Sequence, residues 1–510
     1  MLDRYIRLFN TVKFLKPKQI NYRLYYFIRK RFRKVVGIKP TLEKKSKSYT
    51  LTLQDTIHII DSYLGDNHFL FLNLSKEFRD KIDWNYSDYG KLWTYNLNYF
   101  DFLSQKDSKN FIYLIDDYID NIESIGDGME PFPISLRGIN WIKYLSYYSI
   151  KNQKIDNSLY AQYYILLDNL EYHLLGNHLL ENGFSLLFGA YYFQDEKLYT
   201  KAKEILIEQL NEQILNDGGH FELSPMYHQI MLFRVLDTIN LVKNNSYKNR
   251  ELLEFLIQKA EIMLGWIEQI SYKNGDIPLL NDSANGIAPT TNQLLDYANR
   301  LTIKSKRVKL SDSGYRKIVK DKYESIVDIG EVGARYIAGH AHADTFNFEL
   351  RVNGTPFIVD TGLSTYEVGV RRDIERSTAS HNTIEINSKN SSEVWGGFRV
   401  ANRAEIIDIE EKKDFLEATH NGYNPILHTR VWKFKDNQII INDILNQNIK
   451  AIARLHFHPN ITKEYIKEHI KVDRDYKIDK YLYSSEFNKK VFSLFLEIKF
   501  SYKLTIKITL

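Results

Sequence analysis

The chain is 510 residues long, 44% hydrophobic and 26% charged, an ordinary globular mix; at about 150 residues per domain it holds two to four domains. It has no cysteine, which excludes disulfides, thiolate metal sites, iron–sulfur clusters and a cysteine nucleophile. Nowhere do about 18 apolar residues run uninterrupted, so a transmembrane helix is not expected.

The net charge of +5 is unevenly spread. Residues 1–36 carry eleven Lys or Arg against Asp3 alone, which leaves the rest of the chain net acidic. No basic stripe with interleaved aromatics recurs, so nucleic acid is not an expected partner. Arg7, Lys13, Lys16 and Lys18 interrupt the apolar residues, so the segment lacks the apolar centre of a signal peptide. The expected location is the cytoplasm or the cytoplasmic face of its membrane. Residues 20–33 predict a basic amphipathic helix, resting on an anionic membrane or packed as a solvated helix on the body.

After this arm (1–45), residues 46–310 predict a helical domain. Phe111, Leu114, Ile115, Tyr118, Ile119 and Ile122 fall on one helix face, as do Ala202, Ile205, Leu206, Leu210 and Ile214. The same spacing recurs over 160–170, 230–242 and 252–267. Helices in series form a solenoid or a toroid; the lack of a fixed repeat favours the toroid. From about 325 the period falls to two. Phe346, Phe348, Leu350 and Val352 alternate with polar residues before Asn353-Gly354, a hairpin signal that sets Asp360 opposite Asn347. Trp432 and Phe434 with Ile439 and Ile441 flank a turn at Asp436-Asn437, and 496–510 alternates again. The expected fold is α+β and multidomain: an incomplete (α/α) toroid, then an antiparallel β-sandwich domain at 325–510.

Dense polar clusters stand out from this background. They are 176–183 (GNHLLENG), 217–228 (DGGHFELSPMYH), 339–344 (GHAHAD), 359–362 (VDTG) and 376–383 (RSTASHNT). Six of the fourteen histidines fall within them, more than scatter would place. No phosphate loop, G-x-S-x-G elbow or H-E-x-x-H occurs. Amide, Tyr and His side chains suit proton abstraction beside a carboxylate. An amide such as Asn177 blunts the carboxylate, His340 acts as base, and Tyr227 exchanges a proton if its surroundings lower its pKa.

The H-A-H-A-D run at 340–344, F-x-F-E-L, the N-G turn, V-D-x-G and R-S-T-x-x-H-N-T together resemble the heparinase II/III family of polysaccharide lyases. W-T-Y-N-L-N-Y-F at 93–100, P-F-P-I-S at 131–135 with Arg137, Asn140 and Trp141, Asn177-His178, and S-P-M-Y-H at 224–228 resemble its N-terminal part. The resemblance spans about 90–400. It implies a substrate cleft between toroid and sheets, with β-elimination on a uronate-containing, anionic polysaccharide. Tyr227 and His340 stand at the catalytic positions, with Asn177 as neutraliser and His178 auxiliary. It also implies a structural zinc on His342, Asp360 and His381. For that, the 340–344 segment must curl back over the sheet. Tyr95, Arg137, Asn140, Trp141 and Arg376 are expected to meet substrate; Glu222 is expected there too, or orienting Tyr227 with His220. Each has a plainer alternative: Asn177 as a helix cap, the aromatics as packing, the metal set as a hydrogen-bonded network. Uronate epimerisation during capsule or exopolysaccharide synthesis, or glycan binding without turnover, would use the same residues.

Overall fold

The computed structural model describes residues 2–248 and 251–510. Helices α1 (Leu2–Val12) and α2 (Pro17–Val36) come first. Residues 38–62, expected to be largely helical beyond 50, instead run as an extended strap. Its backbone hydrogen bonds go to the helices rather than to itself: Tyr49 N–H donates to the Tyr192 carbonyl (2.8 Å), and the Thr52 and Gln54 N–H groups donate to the Asn245 (3.0 Å) and Asn240 (2.9 Å) side chains, while Leu51 and Ile57 are buried. A hairpin of β1 (His68–Phe71) and β2 (Leu74–Glu77) follows.

The helical body comprises α3 (Lys91–Tyr99), α4 (Ile112–Asn121), α5 (Pro131–Tyr147), α6 (Gln153–Asp168), α7 (Gly176–Phe193), α8 (Glu196–Gln213), α9 (Pro225–Asn244), α10 (Glu251–Ile270) and α11 (Thr291–Arg300). Helices α5, α7 and α9 are neighbours, apolar nearly all round, and form the inner layer. Every residue of α7 except His178 is buried. Helix α8 is amphipathic, burying Leu198, Ala202, Ile205, Leu206 and Leu210 at three- and four-residue spacing against α7. These layers make the incomplete toroid.

Strands β3 (Tyr315–Val319), β4 (Tyr323–Asp328), β5 (Phe348–Val352) and β6 (Thr355–Ile358) pair antiparallel in chain order. Then come β7 (Ile384–Ile386), β8 (Val394–Trp395), β9 (Arg399–Val400), β10 (Ile406–Lys412), β11 (Phe415–Tyr423), β12 (Ile426–Lys435), β13 (Gln438–Leu445), β14 (Ala451–His456), β15 (Ile470–Val472), β16 (Tyr476–Glu486), β17 (Lys489–Phe500) and β18 (Lys503–Thr509). A six-stranded sheet, β10-β11-β12-β13-β18-β15, and a four-stranded one, β16-β17-β14-β7, share one apolar core with the first sheet. Trp432, Phe434, Ile439 and Ile441 point into that core, as their alternation predicts. The 496–510 run is two strands: it bends at Ser501-Tyr502, and β17 and β18 join different sheets. Among the described residues no helix is long and apolar enough to cross a membrane.

Candidate functional site

The starts of two inner helices meet a loop from the β part. At α9, Ser224 is the N-cap, its Oγ accepting the Tyr227 N–H at 3.2 Å, and Pro225 takes the first helical position. Tyr227 therefore stands in the first turn. Leu223 before it has φ of +57°, a costly conformation for a leucine. Its carbonyl accepts from Asn281 Nδ2 at 3.0 Å and from the Tyr315 hydroxyl, which pin it there. Helix α7 lacks such an N-cap side chain but also follows a leucine at positive φ, Leu175 at +62°, with Asn177 and His178 in its first turn. A Cβ on Gly176 would meet Glu222 Oε1 at 3.0 Å, so only glycine leaves that carboxylate room.

His340, on a short 3-10 turn, presents its ring to Tyr227 with ring centres 4.0 Å apart. Its Nδ1 is 2.9 Å from Asp282 Oδ2, and its Nε2 is 3.7 Å from Glu222 Oε2. The Tyr227 hydroxyl lies 3.3 Å from that of Tyr366. Asp282 is fully buried and ties the site together: Arg372 grips both of its oxygens, at 2.5 and 2.6 Å, and His342 Nε2 reaches Oδ1 at 2.8 Å. Burial opposes its charge, yet the Arg372 guanidinium and both imidazoles hold its carboxyl well below the usual range. A carboxylate acceptor fixes the proton of neutral His340 on Nδ1, which leaves Nε2 as a lone pair.

Burial raises the Tyr227 hydroxyl pKa, only partly offset by Tyr366. This corrects the expectation of a lowered value: the resting group is a protonated phenol. Asn177 gives its Nδ2 to both Glu222 oxygens, at 3.0 and 2.9 Å, and its N–H to Oε1 at 3.2 Å. Glu222 thus caps α7, a favourable place for a negative charge. His178 Nδ1 bonds Glu171 Oε1 at 2.9 Å, its ring lies against Phe132, and a third of its side chain reaches solvent. Burial disfavours its cation, but Glu171 outweighs this and raises its pKa.

Three residues expected at substrate lie in the interior instead. Arg137 is buried over the Tyr118 ring, donating to the Asn98 and Gly128 carbonyls and to Gln162, where it braces α3 against α5 and α6. Trp141 is buried between Phe100 and Tyr118. Arg376 donates to the Ala341 and Gly397 carbonyls and holds the His340 loop from behind; burial lowers its pKa to about 10. Asn140 lines a recess with Asn96, Lys143 and Arg234, and Phe487 of that recess packs on Tyr366. Tyr95 is half-buried, its hydroxyl bonded to Glu130. His220 is buried and bonds Gln213 at 3.0 Å. Asp282, Arg372, Tyr366 and Glu171 were not anticipated; the only hint was the polar N-D-S run at 281–283.

The HAHAD segment does curl back over the sheet. The His342 and His381 rings are 5.3 Å apart, and His381 Nδ1 is 2.7 Å from Asp360 Oδ2. Asn347 Nδ2 donates to the same oxygen at 2.5 Å, although a bulge between Leu350 and Arg351 breaks the symmetric hairpin register expected to set the two opposite each other. His342 Nδ1, His381 Nε2 and Asp344 Oδ2 are buried without a hydrogen-bond partner. Each imidazole spends its other nitrogen on a carboxylate, the usual outer support of a metal-bound histidine. Burial keeps His342 neutral, its pKa lowered to about 4. Among the described residues no three His, Asp or Glu side chains surround a common metal position; Asp360 is turned to His381.

Two matches to known protein families cover consecutive stretches. Residues 154–307 match "Heparinase II/III N-terminus", and 302–488 match "Heparinase II/III-like, C-terminal". The chain belongs to the heparinase II/III-like family. This family member is 24% identical over 316 residues to a heparin-sulfate lyase of Bacteroides stercoris, covering 56% of this chain and 46% of that one. It is 23% identical over 277 residues to a heparin-sulfate lyase of Bacteroides thetaiotaomicron, covering 46% and 38%. The alignments thus span less than half the length of these relatives. A crystal structure of heparinase III superposes with a TM-score of 0.63 at 15% identity, covering 99% and 93% of the two chains. The heparan sulfate lyase HepC from Pedobacter heparinus gives 0.52 at 16%, covering 87% and 81%. Both share the toroid-plus-sheet fold.

Proposed function

We propose that this heparinase II/III-like protein is a polysaccharide lyase, cleaving a uronate-containing, glycosaminoglycan-like chain by β-elimination. The close Tyr227 and His340 pair, rings 4.0 Å apart and tilted by 31°, with His340 Nδ1 held by Asp282, carries the reading. His340 Nε2 takes the C5 proton. The electron pair left behind forms the C4=C5 double bond as the C4–O bond breaks, and Tyr227, already protonated, gives its proton to the departing oxygen. The uronate carboxylate becomes enolate-like on the way, and a cation beside it lowers that barrier. His178, with its raised pKa and exposed edge, supplies that cation. Asn177, occupied by Glu222, frames it rather than neutralising alone.

The test is ultraviolet absorbance of the unsaturated uronate across a panel of uronate polysaccharides. Wild type should produce it, and Tyr227→Phe should lower kcat by about 100- to 10,000-fold with KM little changed. A variant turning over at the wild-type rate would sink the assignment. Solvent deuterium entering C5 without a double bond would replace it with epimerisation, and binding without either with a glycan-binding role.

We extend the proposal to a structural zinc. His342 Nδ1 and His381 Nε2 would hold it, with Asp360 behind His381 as the outer carboxylate. Its charge would tie the His340 loop to the sheet. Metal analysis should find about one zinc per chain in wild type, and His381→Ala should lose it together with thermal stability. Metal-free wild type with the same melting temperature as the variant would refute this.

A further inference from the structure

Helices α1 and α2 are packed with their polar faces inward, the reverse of an ordinary surface helix. In α2, Gln19 donates to the Leu174 carbonyl at 2.9 Å, Arg23 to His173 at 3.1 Å, and Arg29 to Asp168 Oδ1 at 3.1 Å; Arg33 pairs with Asp168, and Tyr22 stacks on Tyr172. These positions form one face. The opposite face carries Ile20, Leu24, Phe27, Ile28 and Val35, between 47% and 86% exposed. Helix α1 repeats the arrangement. Arg7 pairs with Glu393 at 2.6 Å and Thr11 Oγ1 accepts from Trp395 at 3.1 Å, while Tyr5, Leu8, Phe9 and Val12 are turned to solvent.

We infer that α1 and α2 form a docking surface for a bilayer of anionic phospholipid. The apolar stripes enter the boundary between headgroups and acyl chains, and Lys13, Lys30, Arg31 and Lys34 meet the headgroups. Among the described residues none of these four has an acidic partner. The nearby carboxylates, Asp168, Glu208 and Glu212, are already paired with Arg29, Arg33, Lys18 and Lys16. A second copy of the chain would therefore bring spare cations against spare cations, whereas an anionic membrane supplies both the charge and the apolar interior. The surface also touches the site wall. Glu393 and Trp395, gripped by α1, lead into the turn that places Phe398 6.0 Å from the His340 ring.

The full-length protein would be sedimented with vesicles of phosphatidylcholine alone or with about a third phosphatidylglycerol. Wild type should follow the anionic vesicles only. Lys30→Gln/Arg31→Gln/Lys34→Gln should weaken that binding by about a hundredfold, and Leu24→Asp/Phe27→Asp should abolish it. All of these side chains are solvent-facing, and circular dichroism of each variant confirms its fold. Wild type remaining in the supernatant, or binding unmoved by either variant, overturns the inference. So does a concentration-dependent dimer in light scattering that Leu24→Asp/Phe27→Asp dissolves, which would assign the face to self-association.

Discussion

Asp282 shows how one side chain can govern a site it never exposes. Its two oxygens hold Arg372, His340 and His342 at once, all buried or nearly so. Replacing it by asparagine removes the charge that compensates a fully buried guanidinium and sets an amide N–H₂ against other donors. Asp282→Asn should therefore lose about 3–5 kcal/mol in urea unfolding. Adding Arg372→Met removes the stranded charge, so the double variant should recover part of that loss. Kinetics should separate position from mere stability. With Nδ1 of His340 no longer fixed, kcat should fall while KM moves little, because the group lost is one that aims the base. A single variant within about 1 kcal/mol of wild type would show that the carboxylate is not ionised in the fold.

At the level of elements, legibility followed where the hydrogen bonds go. Helices α4, α6, α8, α9 and α10 satisfy their own backbones, so only their apolar period has to be seen, and it is plain in the sequence. The Asn353-Gly354 hairpin is equally local: φ of +49° and +78° at those two residues closes Val352 on Thr355. The strap at 38–62 has no period to find, because it leans on Asn240 and Asn245 nearly two hundred residues away. The bend at Ser501-Tyr502 lacks Gly, Asn or Pro, so nothing local announces it. The motifs singled out Asn177, His178 and Tyr227, and the structure sets all three in the first turns of inner helices. Residue type misled at Arg137, Trp141 and Arg376. An arginine or tryptophan in a sugar-binding protein suggests a cleft, yet carbonyls and aromatic rings far along the chain satisfy these three in the interior.

The whole molecule is built as one cooperative body, although its chain reads as two folds in series. Side chains from beyond residue 310 complete the helical core: Tyr315, Ile326, Leu363 and Phe487 are buried among the helices. Polar ties cross the same boundary. Asp217 accepts the Ser311 and Ser313 N–H groups at 3.0 and 2.9 Å, and Glu349 accepts the Tyr272 hydroxyl at 2.8 Å and the Leu279 N–H at 3.1 Å. Asp282 adds its buried ion pair to Arg372. Unfolding the sheets would uncover a hydrophobic core and strand buried carboxylates in the helical part, and unfolding the helices would strand Arg372 in the β part. Neither half gains a stable state from the other's loss, so partly folded species should be sparsely populated. Calorimetry should accordingly give one transition, with coincident loss of helical circular dichroism and tryptophan fluorescence. Two resolved transitions would mean that the interface, which the Tyr227–His340 pair spans, is too weak to couple the halves on unfolding.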